Sequence, residues 1–174
     1  MRMTRGTIAV AVFIGSLAAS PLAQEGRRQQ PPPPPPAPAK HVMYNNADLK
    51  WGPAPPSLPP GAQMAVVEGD PAVKGKPFVV RAKMPDGYRV PPHWHPTDEN
   101  LTVLSGTLMA GTGDKFDQGS MMALTAGGFS NMKANLRHYV QAKGETTIQV
   151  HGVGPFTVTY VNPSDDPRKQ PGSR

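Results

Sequence analysis

The chain has 174 residues, no cysteine and a formal net charge of +6 at pH 7. This length suits one domain of ordinary size with tails, and a chain without cysteine can form neither a disulfide nor a thiolate metal site. The positive charge does not indicate nucleic-acid binding, because residues 41–163 carry ten Lys or Arg against nine Asp or Glu and show no basic stripe with interleaved aromatic residues. We therefore expect no nucleic acid among the partners.

The first 23 residues predict a signal peptide. Arg2 and Arg5 precede an apolar run from Ile8 to Leu17, which is too short to span a bilayer, and small residues follow at Ala18, Ala19 and Ala23. Cleavage in that last stretch would leave a periplasmic or secreted protein with no membrane contact. A retained N-terminal anchor is the alternative.

A proline-rich linker is predicted over residues 24–40. It contains the unbroken run from Pro31 to Pro36, which favours an extended polyproline helix that acts as a semi-rigid spacer. Docking on a proline-reading domain is the alternative. At the other end, residues 164–174 predict a polar C-terminal tail, so the folded domain is expected over residues 41–163.

Short strands separated by Gly and Pro turns are predicted through that domain, after an arm over residues 41–61 that packs around it. Phe78 to Met84 alternates apolar and polar residues, which indicates a strand with one buried face. Nothing indicates a long amphipathic helix, so the pattern predicts an all-β barrel or sandwich. The first predicted strand begins at Ala65 to Val67, and the others are Phe78–Met84, Glu99–Leu104, Thr107–Ala110, Met121–Leu124, Phe129–Met132, Arg137–Ala142, Thr146–His151 and Phe156–Val161.

Two histidines and a glutamate within seven positions predict a metal site. His93 and His95 stand two apart, so on a strand their side chains point to the same side, and Pro96 with the short step after it brings Glu99 onto the next strand. Two imidazoles and a carboxylate that converge on one point are ligands for a divalent first-row metal. His138 is the predicted fourth ligand, because it shares the apolar, inward face of its strand, where an unpaired ring would be costly.

The residues around this site follow a recognisable pattern. The spacing G-x5-H-x-H-x3-E-x6-G is met in full at Gly87, His93, His95, Glu99 and Gly106. It resembles the first signature of the cupin superfamily, a group of small double-stranded β-helix, or jelly-roll-like, barrels that usually hold a metal.

The second cupin signature, G-x5-P-x-G-x2-H-x3-N, is matched in part. Gly127 and His138 are in register, whereas Lys133, Asn135 and Ala142 stand where the family has proline, glycine and often asparagine. Lys133 lacks the fixed φ of proline, which loosens the turn but removes no ligand. Asn135 is the mildest departure, because asparagine tolerates the left-handed conformation that a turn glycine supplies.

The resemblance covers residues 41–163 and implies an all-β, double-stranded β-helix barrel of the small, single-domain bacterial type. It implies one divalent transition metal (Fe, Mn, Zn or Ni) bound by His93, His95, Glu99 and His138, with coordination positions left open. The implied function is an exported mononuclear metal cupin that acts on a small organic molecule by dioxygenase, isomerase or lyase chemistry, and a homodimer is also expected. Two alternatives stay open: a non-catalytic metal-dependent binding or sensing module, and a metal-free structural cupin.

No catalytic residue beyond the ligands is clear from the sequence, and Gln149 and His151 are the candidates. They alternate with Ile148 and Val150, so one pair faces the interior and the other faces solvent. A polar pair in the pocket would bind substrate or act as acid and base. A polar pair facing solvent would be ordinary surface residues, and the pattern favours this second interpretation.

Overall fold

The structure, a computed structural model, describes residues 41–170. The predicted signal peptide (1–23), the predicted linker (24–40) and residues 171–174 of the predicted tail lie outside the described residues. The described part is almost entirely β-structure. Its strands are β1 Gly52–Pro53, β2 Gln63–Gly69, β3 Pro77–Met84, β4 Arg89–Trp94, β5 Glu99–Thr112, β6 Met122–Thr125, β7 Phe129–Met132, β8 His138–Val153 and β9 Thr159–Tyr160, and its short 3-10 helices are Asn46–Asp48, Gln118–Ser120, Pro163–Asp165 and Pro167–Lys169.

Two long strands, β5 and β8, organise the barrel. They pair antiparallel along nearly their whole length. The first half of β8 also pairs with β4 and its second half with β3, while the first half of β5 pairs with β7 and its second half with β6. The ribbon of β5 and β8 thus runs through one curled nine-stranded sheet and pairs with different strands in its two halves, as in a double-stranded β-helix, and the predicted all-β fold is confirmed.

Glycines allow both long strands to bend between their halves. Gly106 in β5 has φ 76° and Gly144 in β8 has φ 73°, a conformation that favours residues without a Cβ. At Gly106 space also requires glycine, because a Cβ there would lie 2.3 Å from the carbonyl oxygen of Glu145. The sequence pattern predicted separate strands on either side of each glycine, whereas each strand is continuous and the β5–β8 pairing resumes beyond a register shift at the glycines.

The core occupies the interior of the curled sheets. The predicted inward face of β3, which carries Phe78, Val80, Ala82 and Met84, is buried as expected. Leu101 and Val103 of β5 are buried in the same way, and so are Val140 and Ala142 of β8. The period-2 alternation therefore placed the interior of the barrel correctly on all three strands.

The segments at both ends of the described chain lie against the barrel. Two tyrosine hydroxyls donate to the segment between β1 and β2: Tyr88 to the carbonyl of Pro59 at 2.7 Å, and Tyr160 to that of Ser57 at 2.8 Å. At the other end, Arg168 forms an ion pair with Asp166 and donates to the carbonyl of Val158 at 3.1 Å. Within residues 41–170 no helix is long and apolar enough to cross a membrane.

Candidate metal centre

The four predicted ligands come together at one end of the barrel interior. His93 lies near the end of β4, Glu99 is the first residue of β5, and His138 is the first residue of β8. His93 and His138 are direct partners across the β4–β8 pair. His95 follows β4, and its carbonyl accepts a hydrogen bond of 2.8 Å from the backbone N–H of Asn135.

The turn before His138 shows why the second motif tolerates its substitutions. Asn135 adopts the left-handed conformation, with φ 64°, as predicted for a residue at the glycine position. Lys133 forms an ion pair of 2.9 Å with Asp98, whose other carboxylate oxygen accepts from the N–H of Ala134. These contacts hold the turn in place without the proline of the family pattern.

The three histidines offer ligand atoms that lie within 4.8 Å of one another, and all three side chains are buried. Glu99 is buried beside them. Its Oε2 lies 3.2 Å from Nε2 of His138 and 3.5 Å from Nε2 of His95. Two ligand atoms that share a metal at about 2.1 Å are separated by about 3.0 Å at a right angle and about 3.4 Å at the tetrahedral angle. The carboxylate and imidazole spacing therefore suits a shared cation.

Backbone carbonyls set which ring nitrogen of each histidine carries its proton. Nδ1 of His93 donates to the carbonyl of Pro91 at 2.7 Å, that of His95 to Thr157 at 2.8 Å, and that of His138 to Leu136 at 2.9 Å. A carbonyl can only accept, so every Nδ1 must carry a hydrogen. In each neutral ring the lone pair is then on Nε2, the atom that a metal binds.

This arrangement leaves the interior with an electrostatic conflict. If His95 and His138 are neutral, the lone pairs on their Nε2 atoms face the carboxylate of Glu99, and like partial charges oppose each other. If one ring takes a second proton it pairs with the carboxylate, and if both do, two cations lie in an apolar interior, which is costly. A divalent cation between the rings and the carboxylate resolves the conflict, so the donor set fits a metal.

The pKa values of His93, Glu99 and His138 reflect burial and the same opposing charges. Burial, together with the neighbouring rings of His138 and His95, lowers the pKa of His93 to about 3, so this ring stays neutral. Burial opposes the ionisation of Glu99, but its hydrogen bonds with His138 and His95 outweigh this and hold its pKa well below the usual range. Burial also opposes a charge on His138, and the hydrogen bond to Glu99 outweighs it and raises the pKa of His138. The site thus combines the ionised carboxylate of Glu99 with neighbouring imidazole rings that can share one cation with it.

A cavity of about 130 Å³ opens from the four ligands into the barrel. Beyond the ligands it is lined mainly by apolar side chains, and one wall is the segment that contains Pro55, Ser57 and Leu58. Phe156 also lines it and stacks on His95, with ring centroids 4.1 Å apart and planes 17° from parallel. This stacking fixes the orientation of one ligand ring.

Gln149 and His151 lie on the opposite face of β8 from the cavity. Their neighbours Ile148 and Val150 are buried and line it, whereas His151 is exposed and the Gln149 side chain accepts a hydrogen bond of 3.0 Å from Arg81. The structure thus places the polar pair on the outer surface, outside the candidate site.

Phe156, Tyr88 and Tyr160 belong to the surroundings of the site and escaped the sequence analysis. The sequence predicts Phe156 only as the start of a strand. The tyrosines hold the segment over the cavity through bonds that join residues 29 and 103 positions apart. No local spacing indicates such contacts, and the one available signal was the aromatic type of the residues.

The fold has counterparts among solved structures. No protein-family model and no curated protein matches the chain. A proposed acetylacetone dioxygenase from Methylibium petroleiphilum is 17% identical, with a TM-score of 0.58 over 76% of this chain and 88% of that one. The polyketide cyclase RemF from Streptomyces resistomycificus is also 17% identical, with a TM-score of 0.57 over 74% and 90%. An RmlC-like cupin from Shewanella frigidimarina is 11% identical, with a TM-score of 0.51 over 66% and 91%.

The barrel and its buried histidines define an all-β protein with a candidate metal centre inside a double-stranded β-helix. The fold is the one shared by these solved structures, one of which is a cupin, as the sequence motifs predicted.

Proposed function

We propose that this chain is an exported mononuclear cupin that binds one divalent transition metal through His93, His95, Glu99 and His138 and acts on a small organic molecule held in the barrel. The observation that supports it best is the arrangement of hydrogen bonds at the three rings. Every Nδ1 donates to a backbone carbonyl, so each Nε2 lone pair is available beside the Glu99 carboxylate to bind a cation.

An enzyme is the first candidate because three imidazoles and one carboxylate leave coordination positions open beside the cavity. A bound divalent metal supplies Lewis acidity there, which polarises a coordinated oxygen of the substrate. The similar folds bear names of both a dioxygenase and a cyclase, so the fold alone does not select the reaction. We include dioxygenase, isomerase and lyase chemistry in the proposal.

A metal-dependent binding or sensing module is the second candidate, and the cavity lining favours it. Among the described residues that line the cavity, no acid or base accompanies the four ligands except the hydroxyl of Tyr88. That hydroxyl donates to Pro59, and burial raises the pKa of Tyr88 to about 12. Proton transfer by a side chain would therefore have to use one of the ligands themselves.

Export is proposed from the sequence of residues 1–23, in which a short apolar run follows two arginines. N-terminal sequencing of the protein from the periplasm or medium of the producing cells tests it. A new N-terminus between residues 19 and 24 is expected, and an intact Met1 in the cytosolic fraction would contradict export.

Metal content per chain tests the proposed centre. The full chain, reconstituted with Co²⁺ or Zn²⁺ and desalted, should hold one metal by mass spectrometry, and His93→Ala, His95→Ala and His138→Ala should each reduce occupancy severely. His151→Ala is the matched control, since it removes an exposed histidine outside the cavity. Wild-type occupancy under a tenth would overturn the proposal.

Azide added to the Co²⁺ protein then separates the two candidates. An open coordination position binds azide and changes the visible spectrum of the cobalt, as the enzyme requires. A four-coordinate site closed to azide would support the binding or sensing module instead.

A further inference from the structure

The ionisable groups that could bind a metal lie together at one end of the cavity. Apart from the four ligands, the described lining carries two side chains with a polar atom, Ser57 and Tyr88, and no lysine, arginine or aspartate. The Tyr88 hydroxyl already donates to the carbonyl of Pro59. A ligand in the cavity therefore meets polar groups at the metal centre and little else that can pair with a charge.

The strand register shows how far the apolar part extends. His93 pairs with His138, and further along the same two strands Val90 pairs with Val140. Two residues along a strand cover about 6.6 Å, so the valine pair lies about 7 Å from the histidine pair. The other aliphatic walls are contributed by β3 and the second half of β8, at Val80, Ala82, Ile148 and Val150.

We infer that the ligand of this cavity is an uncharged, largely aliphatic small molecule with its metal-binding group at one end. The inference rests on the proposed function for the metal-binding end, and it adds the substrate class. A second charge on the ligand, about 7 Å from the metal, would lie against aliphatic side chains with no partner. Burying an unpaired charge costs far more than burying a methyl group, and burying the methyl group is favourable.

Two matched hydroxamic acids test the inference on the cobalt-loaded full chain. Hexanohydroxamic acid and adipic acid monohydroxamate share the metal-binding group and differ in that the second ends in a carboxylate instead of a methyl group. Titration of each compound, followed by the change in the visible spectrum of the bound cobalt, gives the two dissociation constants. We expect hexanohydroxamic acid to bind at least roughly 30-fold more tightly, because the carboxylate loses its hydration without gaining a partner.

A substitution within the cavity links this preference to its walls. Val140→Thr replaces a methyl group by a hydroxyl at nearly constant volume, and it should weaken hexanohydroxamic acid roughly fivefold, since the ligand then covers an unpaired hydroxyl. Val153→Thr is the matched control on the same strand, where the side chain is exposed, and should leave the affinity unchanged.

A metal-independent measurement separates failure of the inference from failure of the proposed metal site. Amide chemical shifts of the metal-free protein are followed with 1-hexanol and with hexanoate. A response to the alcohol at Val90, Val140 and Ile148, with none to hexanoate, supports the ligand class even if the protein takes up no metal. Equal binding of the two hydroxamic acids to a protein that does load metal would overturn the inference and leave the metal site intact.

Discussion

Replacing His138 by alanine tests two roles of this residue at once: its contribution to the stability of the fold and its binding of the metal. The His138 side chain is almost completely buried. Its Nδ1 donates to the carbonyl of Leu136 at 2.9 Å, and its Nε2 lies 3.2 Å from Glu99. The substitution removes both contacts and leaves the buried carboxylate with His95, at 3.5 Å, as its remaining ring partner.

The expected loss in the metal-free protein follows from this geometry. Removing the ring that partners a buried carboxylate costs roughly 3–5 kcal/mol, because the carboxylate charge stays in the interior. For a domain of this size 1 kcal/mol corresponds to about 3 °C, so His138→Ala should lower the melting temperature by about 10–15 °C. Adding Glu99→Gln to this variant should recover part of the loss, since it removes the unpaired charge.

Thermal unfolding of the full chain at pH 7.5, with and without Zn²⁺, measures these effects. The wild type should gain about 2.7 kcal/mol of stability at a free metal concentration of 100 times its dissociation constant. His138→Ala should gain little at the same concentration, and His151→Ala should behave as the wild type. An unchanged melting temperature for metal-free His138→Ala, with a full response to zinc, would refute the reasoning.

Four further predictions address metal release in acid, the acid stability of the metal-free protein, the strand bend and the cavity wall. As pH falls, metal should be released between pH ~4 and ~6, below the free histidine pKa of about 6.5, because protons compete for the ligands; retention at pH 3 would contradict a three-histidine site. The metal-free protein should lose stability in acid too, because the unfolded chain binds a proton at His93 near pH 6.5 whereas the folded chain does so only near its lowered pKa of about 3, and a pH series of denaturant melts checks the sign. Gly106→Ala should destabilise the fold in urea melts by more than Gly144→Ala, since both have positive φ but only the first brings a Cβ against a backbone oxygen; equal losses would show that this contact relaxes freely. Tyr160→Phe should cost about 1 kcal/mol by removing one hydrogen bond to Ser57, and amide exchange near Ser57 should rise; unchanged exchange would show that the hydroxyl does not hold the wall.

Much of the metal centre could be predicted from the sequence because its residues are close together in the chain. His93, His95 and Glu99 fall within seven positions, and strand alternation determines their relative directions. His138 could be added because its neighbours on alternate positions are apolar. The left-handed Asn135 was also predictable, because few residues other than glycine adopt that conformation.

The long strands could not be predicted in the same way. Gly106 and Gly144 act in sequence as turn residues, so the pattern indicated a strand on each side of them. In the barrel β5 and β8 stay paired with each other on both sides of the bend, and tertiary pairing outweighs the local preference of glycine. The positions of Gln149 and His151 also required the structure, since alternation shows that two faces differ but not which of them meets the core.

The position of the segment over the cavity could not be predicted, because contacts between residues far apart in the chain hold it there. Its attachment uses the hydroxyls of Tyr88 and Tyr160 and the carbonyls of Pro59 and Ser57. A backbone carbonyl is present at every position and leaves no sequence signal. The apolar character of the cavity is likewise a property of how β3, β4 and β8 are assembled, and it emerges only from their register.

X-ray absorption of the zinc- or cobalt-loaded full chain tests the central claim most directly, because it reports the ligands of the metal themselves. We predict a first shell of nitrogen and oxygen at about 2.0–2.1 Å with the outer-shell scattering of three imidazoles, unchanged in His151→Ala and missing from the little metal that His138→Ala retains. A first shell with fewer than two imidazoles in the wild type, or one that His138→Ala does not alter, would contradict the proposed centre.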